Sequence, residues 1–555
     1  MSKIVLKSLL ILSIVFSCAK QARPPGGPVD KTPPFVISAL PENGSVEVDV
    51  NTDVQVLFSE GVNPVSAKDA IFITPFQGDN AYIKFRGRKI VIKFRNPLES
   101  DKTYVITFGT NISDYRSNKM DSSFTLAFST GHVLDQGRIE GRVFRDKDLK
   151  GVDVWAYQFD KDSPDPSESN PDYIVQCAED GSFKFDYMSP GKYRIFAVKD
   201  NFADKLYQPE EDEIGVCFKD AVLIRDSTVV NKDFLIRMTR EDTTFPVLQR
   251  AVSVTCNRVA MQFSEPVLYD TCKILIKEKQ KPDSLKIKFL WDTGSNVLFA
   301  ETGIQQDADY KITLSGIYDF TGNPVDTVLS SFNFHGTARR DTIAPVITGT
   351  VPSSGEKFAD VSGKITIDFS EPVDTFKVNH NIALTDTALN PVPCKVTFSN
   401  VNSLLIEPEI NLKSSKMYKI VISSGSIGDL YGNVIKDTTI VFTTVNTDTL
   451  GSIAGEITDP EEGSKGEIYI NAIKIDKPIR NYQVVLAEPG DFEINNVLPG
   501  HYMLSAFRDS NSDKLFNFGR PFPFIPSERF AVFPDTVVVK SRWTNQDNVL
   551  KLPAK

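Results

Sequence analysis

One phrase occurs three times in this chain and limits what the chain can become: Phe58-Ser59-Glu60, Phe263-Ser264-Glu265-Pro266 and Phe369-Ser370-Glu371-Pro372. Each copy sits in a block of about a hundred residues. Every block opens on a Pro-containing segment, runs through a Tyr-bearing strand and closes on a strand rich in Thr, Ser and Phe. A chain written in paragraphs of this size is an array of repeated domains, and its 555 residues ask for several domains in any case. Small repeated β-domains without a unique cleft hold, space or bind more often than they catalyse.

Nearly every segment predicts strand. Val54-Gln55-Val56-Leu57-Phe58, Lys364 to Phe369 and Lys419-Ile420-Val421-Ile422 alternate apolar and polar residues, with Gly, Pro, Asn and Asp clusters between such runs. Period two sends one set of side chains inward and leaves the other in water. Short strands at regular spacing argue for β-sandwiches.

Three blocks, residues 31–131, 242–337 and 341–446, share further features. Tyr104, Tyr310 and Tyr418 each begin an apolar strand after a polar turn. A loop rich in Asp, Gly and Asn follows: Asp114 to Asn118, Asp319 to Asn323 and Asp429 to Asn433. Gly322 and Gly432 can supply positive φ there. The Thr-x-Pro-Pro or Thr-x-Ala-Pro opener, Phe-Ser-Glu-Pro, the Tyr strand and Asp-x-x-Gly-Asn together resemble the bacterial Ig-like domain of S-layer proteins. In such sandwiches a buried Tyr bonds neighbouring backbone. The second block departs most, since its opener lacks the Pro-x-x-Gly phrase of Pro41 to Gly44 and Pro352 to Gly355.

Residues 137–238 and 451–552 follow a second grammar. They open Gly137-Arg-Ile-Glu-Gly141 and Gly451-Ser-Ile-Ala-Gly455, turn into an aromatic strand at Phe183 and Phe492, and then carry Pro190-Gly191-Lys192-Tyr193 and Pro499-Gly500-His501-Tyr502. This resembles the carboxypeptidase-regulatory-like or prealbumin-like β-sandwich, in which Pro-Gly turns the chain and Tyr re-enters the core. The expected fold is all-β, a tandem array of Ig-like and prealbumin-like β-sandwiches behind a lipoprotein signal peptide.

Residues 1–17 predict that signal: Lys3 and Lys7 precede an apolar run from Leu9 to Phe16, too short to span a bilayer. Val15-Phe16-Ser17-Cys18 resembles a loose lipobox of the kind found in Bacteroidota lipoproteins, which implies acylation of Cys18. Residues 18–30 then form a Pro/Gly tether. The lipid bilayer becomes a partner through acylated Cys18, and the localisation expected is the outer membrane, facing the periplasm or the cell surface.

Chemistry is sparse. The net charge of −10 is spread thinly, and no basic concentration suggests nucleic acid. Glu60, Glu265 and Glu371 recur at one strand end in three domains, which argues against catalysis and for Ser and Glu bonding loop backbone or ending a strand. His132, His335, His380 and His501 are scattered, without metal-ligand spacing. No phosphate loop, Gly-x-Ser-x-Gly elbow or dinucleotide fingerprint is present. Cys177 with Cys217, or Cys256 with Cys272, are candidate disulfides, buried free thiols being the alternative. The best ligand candidate is a structural calcium on Asp509, Asn511 and Asp513, which place oxygens at alternate positions; the alternative is an Asx-rich turn. A weaker counterpart runs from Lys199 to Asp204.

The expected function is a non-enzymatic, membrane-anchored lipoprotein whose β-sandwiches space domains, organise the envelope and meet an unknown protein or glycan ligand. The alternative is a carbohydrate-binding surface lipoprotein of a polysaccharide-uptake system. Its contact residues would be Trp155, Trp291, Trp543 or the patch from Phe516 to Phe524.

Overall fold

A computed structural model of the chain describes residues 30–68, 70–225, 230–281, 283–326, 330–375 and 382–555. The expected signal peptide (residues 1–17), Cys18, the expected tether up to residue 29 and His380 lie outside these residues. The chain divides into two compact units, Met1–Leu206 with Lys219–Ile236, and Tyr207–Phe218 with Arg237–Lys555. Among the described residues the α-helix amounts to one turn, Pro64–Lys68. No helix among them is long and apolar enough to cross a membrane.

In the first unit, the first Ig-like block packs a four-stranded sheet on a three-stranded one. The larger sheet runs in the order Val36–Leu40, Val54–Phe58, Lys89–Phe94, Ala81–Arg86. The smaller is Ile71–Thr74, Thr103–Phe108, Phe124–Ser129. Val54, Val56 and Phe58 are fully buried while Gln55 and Leu57 are half-exposed, as the alternation requires. They meet Ile90, Ile92, Ile106, Phe108 and Phe128 in one core.

The same unit holds most of the block at residues 137–238, where Asp153–Gln158 pairs with Tyr173–Gln176 and Gly191–Lys199. Gly137–Phe144 pairs with Ser182–Met188. The Gly-x-x-x-Gly opener has a steric cause: a Cβ on Gly141 would sit 2.2 Å from the Phe234 carbonyl.

In the second unit, two more blocks repeat the four-plus-three order of the first. One uses Leu248–Thr255, Arg258–Phe263, Val297–Thr302 and Ile287–Asp292 against Lys273–Glu278, Asp309–Ser315 and Ser331–His335. The other uses Ile347–Val351, Ile365–Phe369, Ser403–Pro408 and Cys394–Asn400 against Ile382–Asp386, Met417–Ile422 and Thr438–Thr443. The last block sets Gly490–Val497, Gly451–Thr458 and Thr544–Lys551 on one sheet, and Asn481–Leu486, Ile468–Lys474, Gly500–Arg508, Phe530–Val532 and Val537–Val539 on the other.

The aromatic expectations hold. The buried Tyr104, Tyr310 and Tyr418 accept, on their hydroxyls, the backbone N–H of Glu99, Gln306 and Lys413 at 2.8, 2.9 and 2.8 Å. Tyr193 and Tyr502, fully buried, donate to the carbonyls of Ser189 and Leu498.

The missing Pro-x-x-Gly of the second Ig-like block also has a structural cause. In the first block that segment crosses to the other sheet, with Gly44 N–H donating to the Ala127 carbonyl; Gly355 does the same to Val441. In the second block the first two strands join directly, Thr255 facing Arg258 across the turn Cys256-Asn257. No crossing segment is left for the phrase to build.

Candidate functional site

Three motifs far apart in each Ig-like block meet at one pole of the domain. The Ser of Phe-Ser-Glu clamps the opener. Ser59 Oγ accepts from Phe35 N–H at 3.1 Å, and Ser59 N–H donates to the Phe35 carbonyl at 2.8 Å. Ser264 does the same to Val247 and Ser370 to Val346.

The Asp of the Asp-x-x-Gly-Asn loop ties its own turn. Asp114 Oδ1 accepts from the N–H of Arg116 and of Asn118, both at 2.8 Å, and its Oδ2 accepts from Asn118 Nδ2 at 2.9 Å. Asp319 and Asp429 repeat this with Asn323 and Asn433. Position four of the turn takes positive φ, 94° at Gly322 and 93° at Gly432, and 70° at Ser117, which lacks the glycine. The amide of the Asn reaches back to the opener as well: Asn118 Nδ2 donates to the Asp30 carbonyl at 3.1 Å and Asn323 Nδ2 to that of Asp242 at 2.9 Å.

The result is a carboxylate cluster in every Ig-like block: Asp30, Glu60 and Asp114; Asp242, Glu265 and Asp319; Asp341, Glu371 and Asp429. Within each, one oxygen per residue lies within 4.8 Å of the others. This corrects the expectation for the glutamates. The serine bonds the loop backbone, while the glutamate turns to face two aspartates. Burial first, and then the neighbouring aspartates, push the carboxyls of Glu60 and Glu265 above the ordinary range. A carboxylate trio is the donor set of a hard cation. A signal is present in the sequence, since Asp opener, Glu and loop Asp recur together, but they stand on separate connections and the sequence does not show that they meet.

The third cluster faces a cation of the protein's own. Arg258 Nη1 lies 2.9 Å from Glu371 Oε2 and 3.1 Å from Asp341 Oδ2, and Arg258 Nε lies 3.6 Å from Glu301 Oε2. All four side chains are buried. The guanidinium sits 5.2 Å over the ring of Trp291, which stacks on Phe299. Tyr431 donates its hydroxyl hydrogen to Glu301. Desolvation raises Glu371 to about 7, with Arg258 pulling the other way. Elsewhere in the same unit, Arg480 of the last block contacts Glu356 and donates to the Phe358 carbonyl.

The other residues named by the sequence fall elsewhere. Asp509 is buried and accepts the N–H of Ser512 at 2.7 Å and of Lys514 at 2.8 Å. Asn511 and Asp513 are exposed and bond each other. Asp200 holds Ala203 and Lys205 N–H in the same fashion, so the two loops share one Asp-centred turn. Cys177 and Cys256 are buried free thiols and Cys272 and Cys394 are half-buried free thiols, so neither candidate disulfide is formed. His132, His335 and His501 lie exposed beside Glu47, Asp307 with Asp309, and Asp476. Trp155 and Trp291 are wholly buried, whereas Trp543 is 68 % exposed. Phe516 packs edge-on against Phe507, Phe518 and Phe530 beneath Arg237.

Residues 30–130 and 341–444 match the family described as the bacterial Ig-like domain. The block between them, residues 242–337, shares its strand order. No curated protein matches the chain. Among solved structures, the N-terminal part of the bacterial S-layer protein SbsC is similar at 12% identity and a TM-score of 0.16, over 36% of this chain and 44% of that one. Domains 1–6 of SbsC are similar at 10% identity and a TM-score of 0.15, over 94% and 67%. Domains A168–A170 of titin are similar at 10% and 0.16, over 48% and 93%. The chain thus spans less than half the length of the first of these.

Proposed function

We propose that the chain is a non-enzymatic lipoprotein, anchored through Cys18 to the outer membrane of a Bacteroidota-like cell, whose tandem sandwiches space and present an interaction surface at the envelope. One observation carries this reading: the polar residues repeated in all three Ig-like blocks are spent at the pole where each domain receives its incoming segment. The recurring motifs of the chain thus support joints between domains, as a spacer requires.

Protease shaving of intact cells carrying a C-terminally tagged protein, beside a Cys18→Ala control, tests it. Tag loss from whole cells with release of Cys18→Ala from the membrane fraction supports an outward array. Protection until the outer membrane is broken moves the array to the periplasm. A Cys18→Ala protein that stays on the membrane rejects the anchor.

A second reading, glycan capture for a polysaccharide-uptake system, draws support from the exposed Trp543 and the half-exposed Phe522. A glycan array with Trp543→Ala and Phe518→Ala decides it, and absence of signal on every glycan rejects it.

A further inference from the structure

We propose that Arg258 is the clasp of a domain junction: the guanidinium of the second Ig-like block serves as the resident cation of the third block's carboxylate cluster and locks the two blocks into one body. Two further contacts cross the same boundary. Tyr431 of the third block reaches Glu301 of the second, and Asn402 Nδ2 donates at 3.0 Å to the Asp292 carbonyl. Asn402 also holds the Phe369 carbonyl at 3.2 Å, two residues before Glu371, so the cluster and the bridging amide share one strand end.

The charge count explains why a cation belongs there. The side chains of Asp341, Glu371, Asp429 and Glu301 are all nearly or wholly inaccessible to solvent, and a buried carboxylate needs a partner. Arg258 is the partner within reach of three of them, and Lys288 approaches Glu301 at 4.0 Å. The contacts of Arg258 with Asp341 and Glu371, of Tyr431 with Glu301 and of Asn402 with Asp292 would be lost if the two blocks separated, leaving water to solvate both sides.

The direct turn Cys256-Asn257 is what makes the clasp. It starts the second strand with Arg258 and holds the linker, since Cys256 N–H donates to the Arg339 carbonyl at 2.7 Å. Counting back from Phe-Ser-Glu, the matching residue is Asp53 in the first block and Lys364 in the third. Both pair within their own domain, Asp53 with Lys93 and Lys364 with Glu407. The clasp is therefore a property of this junction and not of the repeat.

The linker offers a direct test, because Arg339 and Arg340 are exposed trypsin sites between the two blocks. Full-length mature protein is digested and cleavage after these residues is followed by mass spectrometry, with Trp291 fluorescence reporting that the block is folded. A closed junction protects the linker, and proteolysis follows the population of the open form. Arg258→Met is expected to speed linker cleavage by about tenfold or more, with Lys364→Met at the wild-type rate. Should Arg258→Met fail to fold, Arg258→Gln carries the same expectation. A folded variant of either kind cut at the wild-type rate overturns the proposal, as does equal acceleration by Lys364→Met.

Discussion

Tyr431 donates its hydroxyl hydrogen to a wholly buried carboxylate, Glu301, that belongs to the preceding Ig-like block. The other oxygen of Glu301 is buried with no hydrogen-bond donor, so this bond satisfies the carboxylate's one served atom. Replacement by Phe keeps the ring and removes only the donor. Tyr431→Phe should cost about 1–3 kcal/mol, read from the urea midpoint of the mature chain followed at Trp291. Tyr115→Phe, on an exposed ring in the first block, should stay within about 0.5 kcal/mol.

Protonation of Glu371 should stabilise the third Ig-like block. Burial raises Glu371 from the ordinary 4.5 to about 7, opposed by Arg258 and helped by Asp341 and Asp429. A carboxyl raised in the folded state binds its proton more tightly there than in the unfolded chain. Its contribution is therefore whole below about pH 4.5 and is lost as the pH climbs through about 7. Thermal unfolding of wild type and Glu371→Gln across that window should converge at the acid end and diverge at the neutral end, with the variant the more stable. Parallel curves would reject a titrating Glu371.

Ser117 holds φ at 70° where the sister loops have glycine. A side chain in that region costs about 1–2 kcal/mol, so Ser117→Gly should raise the stability of the first block by up to about that amount. Gly322→Ser should lower that of the second by a similar margin. Denaturation midpoints of the two variants, moving in opposite directions, check the assignment.

Gly455 lies against the parallel strand Thr544–Lys551, and a Cβ there would fall 2.0 Å from the Asn548 carbonyl. Backbone cannot step aside as a flexible side chain can. Gly455→Ala should destabilise the last sandwich by about 1–3 kcal/mol or more, whereas Gly463→Ala, whose added carbon meets nothing but sits at φ 73°, should cost about 1 kcal/mol. Amide exchange in Gly451–Thr458 would show the difference.

What was legible in the sequence followed from local rules. Period-two alternation placed Val54, Val56 and Phe58 inward, and the Tyr position announced a ring whose hydroxyl takes a backbone amide. The carboxylate clusters escaped because their members lie on three separate connections that only the closed sandwich brings together. Arg258 was harder still. Its partners belong to another domain, and nothing in the strand Arg258–Phe263 distinguishes a solvated arginine from one inserted into Glu371 and Asp341. The irregular opener of the second block was visible only as a missing Pro-x-x-Gly phrase. It is the two-residue turn that delivers the arginine.

That turn also makes the tiles of this chain non-interchangeable. Were the first and second Ig-like blocks exchanged, Asp53 would stand where Arg258 now does and present a fourth carboxylate to Asp341, Glu371 and Asp429. Such a shuffled protein would keep every sandwich and lose its grammar: the order of the domains is spelled by one charge at the end of one hairpin.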